Sequence, residues 1–137
     1  MATNNPRDTV LEFIEAINER SVERIVGLMT EDHVFTDSCG GQGKGRPHMR
    51  EGWKEYFRMM PEYKIDIDKV VAEGNLVMAI GKASGVYSVD GKISEENRWS
   101  IPAAWYGVVS EGLVSEWRVF CDLKPLYRII DRCEQEK

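Results

Sequence analysis

Apolar positions recur at helical spacing through the first part of the chain and at alternating spacing through most of the rest. Val10, Phe13, Ile14 and Ile17 stand at i, i+3, i+4 and i+7, which lays one apolar stripe along a helix. Asn5-Pro6 precedes it as a start signal, with Asn as N-cap and Pro where a missing N–H costs nothing. A second short helix opens at Ser21 and carries Val22, Ile25, Val26 and Met29 on its stripe. With almost no loop between them, the two helices should form a corner on one surface. The β-branched and aromatic run at 33–37 predicts a strand, and the glycine-rich stretch 39–45 a loop. A third helix runs from Arg46-Pro47 to Met60, with Met49, Trp53, Tyr56, Phe57 and Met60 on its apolar face and Pro61 as its stop.

Beyond Pro61 the period drops to two. Tyr63, Ile65 and Ile67 alternate with Lys64, Asp66 and Asp68, the pattern of a strand with one wet face. Glu73-Gly74-Asn75 turns the chain into a long strand at 76–87, and Asp90-Gly91 is a hairpin signal, because a type I′ turn needs positive φ at both central residues. The next strand spans 94–109 and contains Pro102, which predicts a bulge or an unpaired position. Ser110-Glu111-Gly112 leads into a last strand at 113–122, and 125–133 reads as a short helix. Three N-terminal helices before a strongly curved antiparallel sheet make an α+β domain of cone shape. A bent sheet closed by helices leaves a hollow with one mouth, a natural small-molecule pocket.

Composition narrows the functional classes. A chain of 137 residues with 42% apolar and 30% charged positions is expected to form one domain, spanning 1–137 with its core at about 6–130. The net charge of −5 disfavours contact with phosphate backbones, so no nucleic-acid partner is expected. No apolar run approaches the roughly 20 residues that span a bilayer, and the polar start Met1-Ala2-Thr3-Asn4-Asn5 lacks a signal peptide's apolar segment. Three cysteines, odd in number and without a Cys-x-x-Cys pair, suggest a reduced, cytoplasmic protein. No His, Cys or carboxylate set has metal-ligand spacing, so neither metal nor cofactor is expected.

Several segments are familiar together. The helix pair, Asp32-His33-Val34-Phe35-Thr36-Asp37, Gly45-Arg46-Pro47 and the aromatic helix ending Met60-Pro61 resemble the SnoaL-like branch of the nuclear transport factor 2 superfamily. So do Trp99-Ser100-Ile101-Pro102-Ala103-Ala104-Trp105, Glu111-Gly112-Leu113-Val114 and the stretch from Glu116-Trp117-Arg118 to Asp122. The resemblance covers about residues 6–130 and implies a cystatin-like cone, three N-terminal helices packed on a strongly curved antiparallel sheet. The superfamily holds polyketide cyclases, ketosteroid isomerases, epoxide hydrolases and dehydratases, and also proteins that only bind or dimerise, so the chemistry must come from the site.

Asp37 is the candidate catalytic residue. Strand parity puts His33, Phe35 and Asp37 on one face, with Asp37 at the strand's end near the mouth. Its position resembles that of the general-base aspartate of ketosteroid isomerases, whose base works beside a separate oxyanion hole. An Asp there could equally open the turn into Ser38-Cys39-Gly40 by bonding backbone N–H groups. The isomerase's other parts are absent: Phe13 stands where its oxyanion tyrosine would, and Ala104 where its oxyanion aspartate would. Such donors supply about 3–4 kcal/mol each, so ketosteroid isomerisation is not expected. Against epoxide hydrolases, Trp117-Arg118-Val119 replaces their Trp-Arg-Asp, with Val119 in place of the acid.

The remaining polar candidates carry less. His33 reads as an edge or surface residue and His48 as a first-turn residue able to swing over the mouth. The run 40–45 matches no phosphate-binding motif and reads as a flap. Arg98, Ser100, Pro102, Ala104 and Tyr106 share one face of their strand; Trp99, Ile101, Ala103 and Trp105 share the other, a patch large enough to suggest a homodimer through outer sheet faces. Trp53, Tyr56, Tyr106 and Trp117 are the expected walls of the pocket. Arg98, if inward, would orient a polar group or need a carboxylate such as Asp37 or Glu96. Cys121 reads as core. Three functions follow: a cofactor-free isomerase, cyclase or lyase using Asp37 on a small, largely apolar substrate; a homodimeric domain that binds such a metabolite unchanged; or a structural dimer with a filled cone. An open cavity with Asp37 desolvated and unpaired would favour the first, one with Asp37 held by backbone bonds the second.

Overall fold

The computed structural model describes residues 5–136; the expectation drawn from Met1 to Asn4 lies outside them. The chain runs α1 (Pro6–Asn18), α2 (Val22–Gly27), β1 (Met29–Thr36), β2 (Gln42–Lys44), α3 (Arg46–Met59), β3 (Lys64–Glu73), β4 (Leu76–Val86), a 3-10 turn (Glu95–Asn97), β5 (Arg98–Ser110), β6 (Leu113–Cys121) and α4 (Lys124–Gln135). The α+β reading holds, with the helices on a six-stranded sheet ordered β2-β1-β6-β5-β4-β3.

The local signals act as their chemistry predicts. Asn5 Oδ1 accepts the Asp8 N–H at 2.8 Å and caps α1. Asp90 and Gly91 both have positive φ, and Val89 and Lys92 exchange both hydrogen bonds across them at 2.9 Å. The stripe of α1 is buried: Val10, Phe13 and Ile17 have no exposed surface. Asn18 then ties α1 to β3 by exchanging hydrogen bonds with the Ile65 backbone, at 3.0 and 2.8 Å.

Four local readings change. Met29 opens β1 rather than closing α2, so the first strand begins four residues before His33. Part of the glycine-rich stretch is strand: Val34, Phe35 and Thr36 pair with Lys44, Gly43 and Gln42. Pairing uses backbone groups alone, so a sequence without strand formers can still supply an edge. Of the two expectations for Pro102 the bulge is absent and the unpaired position holds: it stands opposite Lys82 in an unbroken β4–β5 register but has no partner on β6. It lies one residue outside the β5–β6 pairing, which starts at Ala103 opposite Cys121, so no ladder on that side is interrupted. The meander of β3 to β6 is antiparallel as expected, but β1 joins β6 in parallel, Phe35 opposite Trp117.

That parallel pair carries an irregularity between Met29 and Val34, which spans five residues of β1 against two of β6. His33 lies there and is fully buried, not at the surface. Its Nδ1–H donates to the Val114 carbonyl at 2.7 Å, so the ring ties β1 to β6 across the irregularity. Nε2 has no partner among the described residues. Burial pushes the imidazole's pKa down, against the opposing effects of the Val114 bond and the Asp32 charge.

Curvature comes from positions that tolerate no side chain. A register shift between Ile67 and Lys69 bends β3 over β4. A Cβ at Gly81 would lie 1.9 Å from the Asp66 carbonyl oxygen. Farther along the concave face, a Cβ at Gly107 would meet Val10 Cγ2 at 2.9 Å, so α1 seats directly on β5.

Two outcomes follow. Gly81→Ala should cost at least about 3 kcal/mol in denaturant unfolding, because the clash is with backbone rather than a movable side chain; a loss within experimental error would refute the close approach. For His33, a folded pKa below the unfolded value of about 6.5 means that the unfolded state binds more protons below that pH. Stability should be full above about pH 6.5 and fall as the pH drops toward the lowered folded value, and His33→Gln should flatten that part of the profile.

Candidate functional site

The bent sheet, α3 and α4 enclose an open cavity of about 570 Å³. Its inner wall is aromatic. Trp53 and Tyr56 come from α3, Tyr63 from the link after it, Trp99 and Trp105 from β5, and Trp117 from β6. The chain has four tryptophans, and all of them line this one space. The rings hold one another in place: Trp53 stacks on Phe57 at 5.3 Å, Tyr56 meets Tyr63 edge-on at 5.0 Å, and Phe13 backs Trp117 edge-on at 5.0 Å. The Trp99 indole N–H points to Met60 Sδ at 3.4 Å. Burial pushes the phenols of Tyr56 and Tyr63 upward, so both keep their protons at neutral pH and can act as donors.

At the opposite end the lining turns polar, with Asp37, Ser38, Gln42 and His48. Asp37 ends the β1 ladder, its N–H bonded to the Gly41 carbonyl at 2.9 Å. Its Oδ1 accepts the N–H groups of Cys39 and Gly41, both at 2.9 Å. Its Oδ2 makes no hydrogen bond among the described residues. The two roles open to Asp37 in the sequence are thus divided between its oxygens. One closes the turn; the other is left at the cavity.

Trp53, Tyr56 and Trp117 stand in the wall as expected. Arg98 and Tyr106 do not. Alternation along β5 turns Trp99, Ile101 and Trp105 inward, which sends Arg98 and Tyr106 to the outer face. The set read as a wet outer patch is therefore the cavity wall, because the hollow itself buries it. Arg98 pairs instead with Glu95 at 2.7 Å and Glu62 at 3.3 Å, not with Asp37 or Glu96. Tyr63, Trp99 and Trp105 were absent from the expected walls; the alternation identified the β5 pair as a set but could not choose its face. Val119 and Cys121 share the inner face with Trp117. Burial pushes the Cys121 thiol up, only partly offset by a hydrogen bond with Ser38, so it is a poor nucleophile.

The pattern of SnoaL-like domains matches residues 10–117. The chain belongs to the SnoaL-like domain family. Among solved structures, this SnoaL-like domain is similar to a nuclear transport factor 2-like protein of unknown function from Cytophaga hutchinsonii. The two are 25% identical over 93% of this chain and 99% of that one, with a TM-score of 0.69. It is also similar to a candidate SnoaL-like polyketide cyclase from Shewanella putrefaciens, at 17% identity, 93% and 96% coverage and a TM-score of 0.79. A cystatin-fold protein from Novosphingobium aromaticivorans shares 18% identity over 85% of this chain and 98% of its own, with a TM-score of 0.72. A search of curated proteins finds no match.

No Lys or Arg lines the cavity among the described residues. No group of three His, Cys, Asp or Glu among them is placed to hold a metal. No described helix is long and apolar enough to cross a membrane.

Proposed function

We propose that this protein binds a small, uncharged, largely apolar and unsaturated molecule in the cone, as a single-domain homodimer. The observation that carries the reading is the convergence of all four tryptophans on a cavity of about 570 Å³ with no Lys or Arg among its described lining residues. Aromatic faces and edges favour flat hydrocarbon surface. An acidic group without a cation beside it repels carboxylates, phosphates and sulfonates. With Oδ1 of Asp37 engaged by two backbone N–H groups, binding is favoured over turnover. Should proton transfer occur, Oδ2 is the atom that would accept the proton.

The dimer rests on the outer face of the sheet. Ile80, Ala104 and Phe120 form one row across β4, β5 and β6, and Met78, Tyr106 and Arg118 the next. Ile80 and Phe120 are 46% and 44% exposed, and the Arg118 guanidinium lies 4.7 Å over the Phe120 ring. Exposed apolar side chains in adjacent rows of the outer sheet face suit a second copy related by a two-fold axis.

Because every tryptophan lines the cavity, intrinsic fluorescence reports directly on occupancy. Methoxynaphthalene should quench or shift the emission and bind at least about tenfold more tightly than naphthalenesulfonate, the penalty for bringing an anion beside Asp37. No response to the neutral probe, or preference for the anion, would refute the reading; native mass spectrometry of the purified protein should also show any retained ligand. In sedimentation velocity the wild type should run as a dimer and Phe120→Asp as a folded monomer. A wild-type monomer at high micromolar concentration would refute the outer-face interface.

A further inference from the structure

The polar mouth has a second member whose placement rests on two glycines. Phe35 pairs with Gly43, and the Asp37 N–H bonds the Gly41 carbonyl, so Gly41 and Gly43 stand two residues apart on one face of the hairpin. A Cβ on Gly41 would lie 2.7 Å from Asp37 Oδ2, and one on Gly43 would lie 2.9 Å from His48 Nε2. The carboxylate and the imidazole therefore rest over neighbouring bare positions, about 7 Å apart along the strand at its rise per residue. Both line the cavity. Neither Asp37 Oδ2 nor the His48 ring has a hydrogen-bond partner among the described residues.

The chemistry of these two groups selects what sits between them. An ionised carboxylate only accepts, whereas a neutral imidazole can present an N–H. A hydroxyl is the uncharged group that satisfies both, donating to Oδ2 and accepting from Nε2–H. An ether or carbonyl oxygen has no proton for Asp37. Two hydrogen bonds of about 2.8 Å meeting at one oxygen reach across about 5 Å, within the swing of an exposed imidazole.

We infer that the cone takes a hydroxylated ligand, an alcohol, phenol or enol, whose hydroxyl is held between Asp37 Oδ2 and His48 Nε2 while its hydrocarbon body lies among the tryptophans. This rests on the cone-binding reading above and adds to it the ligand's polar group and a specificity-determining residue, His48. Asp37→Asn isolates the claim. The two backbone N–H groups still require an oxygen at the Oδ1 position, so the amide NH2 must replace Oδ2 and the turn is kept.

The test compares naphthol with methoxynaphthalene, which keeps the oxygen and loses the proton, and with naphthylmethylammonium. For the wild type, naphthol should bind about tenfold more tightly than the ether, the worth of a hydrogen bond to a charged group. Asp37→Asn should bring that ratio towards one, because its amide NH2 cannot accept the naphthol proton, whereas His48→Phe should weaken naphthol and the ether together, since both oxygens accept from Nε2–H; cooperative denaturant unfolding of each variant shows that it folds. A ratio that survives Asp37→Asn, or affinities for both probes that His48→Phe leaves unmoved, overturns the hydroxyl clamp, and tighter binding of the ammonium probe than of naphthol replaces it with a cation site. If neither naphthol nor the ether binds the wild type, it is the cone-binding reading that fails.

Discussion

A sheet can wrap around a helix only where its backbone is allowed to come close to something else. In this protein that condition is met at Gly81 and Gly107. At the first, the Asp66 carbonyl occupies the space of a side chain; at the second, Val10 of α1 does. The bulge between Ile67 and Lys69 supplies the bend that brings β3 over Gly81. Without these approaches the sheet would flatten, and the concave face of β5 and β6 would lose the volume that makes a hollow. The cavity, its aromatic wall and its mouth all depend on that closure.

The closure also decides how polar groups are met. Where β1 leaves the β6 ladder, His33 reaches back with its ring to the Val114 carbonyl and holds the two strands together. The same economy appears at Asp37, where one oxygen satisfies two turn N–H groups and the other is left free. Glycines then serve a second purpose at Gly41 and Gly43, making room for Asp37 and His48 over the mouth. The result is a site divided by polarity: tryptophans at depth, an acid and an imidazole at the rim, and no cation among the described lining residues to neutralise the acid. Such a division suits recognition of a hydrocarbon with one polar end. Its donors at depth are the buried phenols of Tyr56 and Tyr63, not groups at Phe13 or Ala104, neither of which lines the cavity.

Much of this architecture is legible in the order of residues alone. Helix stripes, the Asp90-Gly91 hairpin and the alternation of the later strands follow from periods and turn chemistry that act over a few residues. Trp53, Tyr56 and Trp117 could be assigned to the wall because each belongs to an apolar set with one evident direction. Asp37 could be placed at the mouth because strand parity and the following turn agree.

The rest required the tertiary fold. Alternation along β5 separates Arg98 and Tyr106 from Trp99 and Trp105, but a period of two has no sign; only the direction of curvature says which set faces the hollow. His33 could not be known as buried, since its partner, Val114, lies 81 residues away. Nor could the parallel β1–β6 pair, or the strand within the glycine-rich stretch, be read from composition, because backbone pairing is indifferent to side chains. The placing of Asp37 and His48 over two bare glycines belongs to the same class. Local sequence sets which residues share a face, and long-range closure alone decides what that face looks upon.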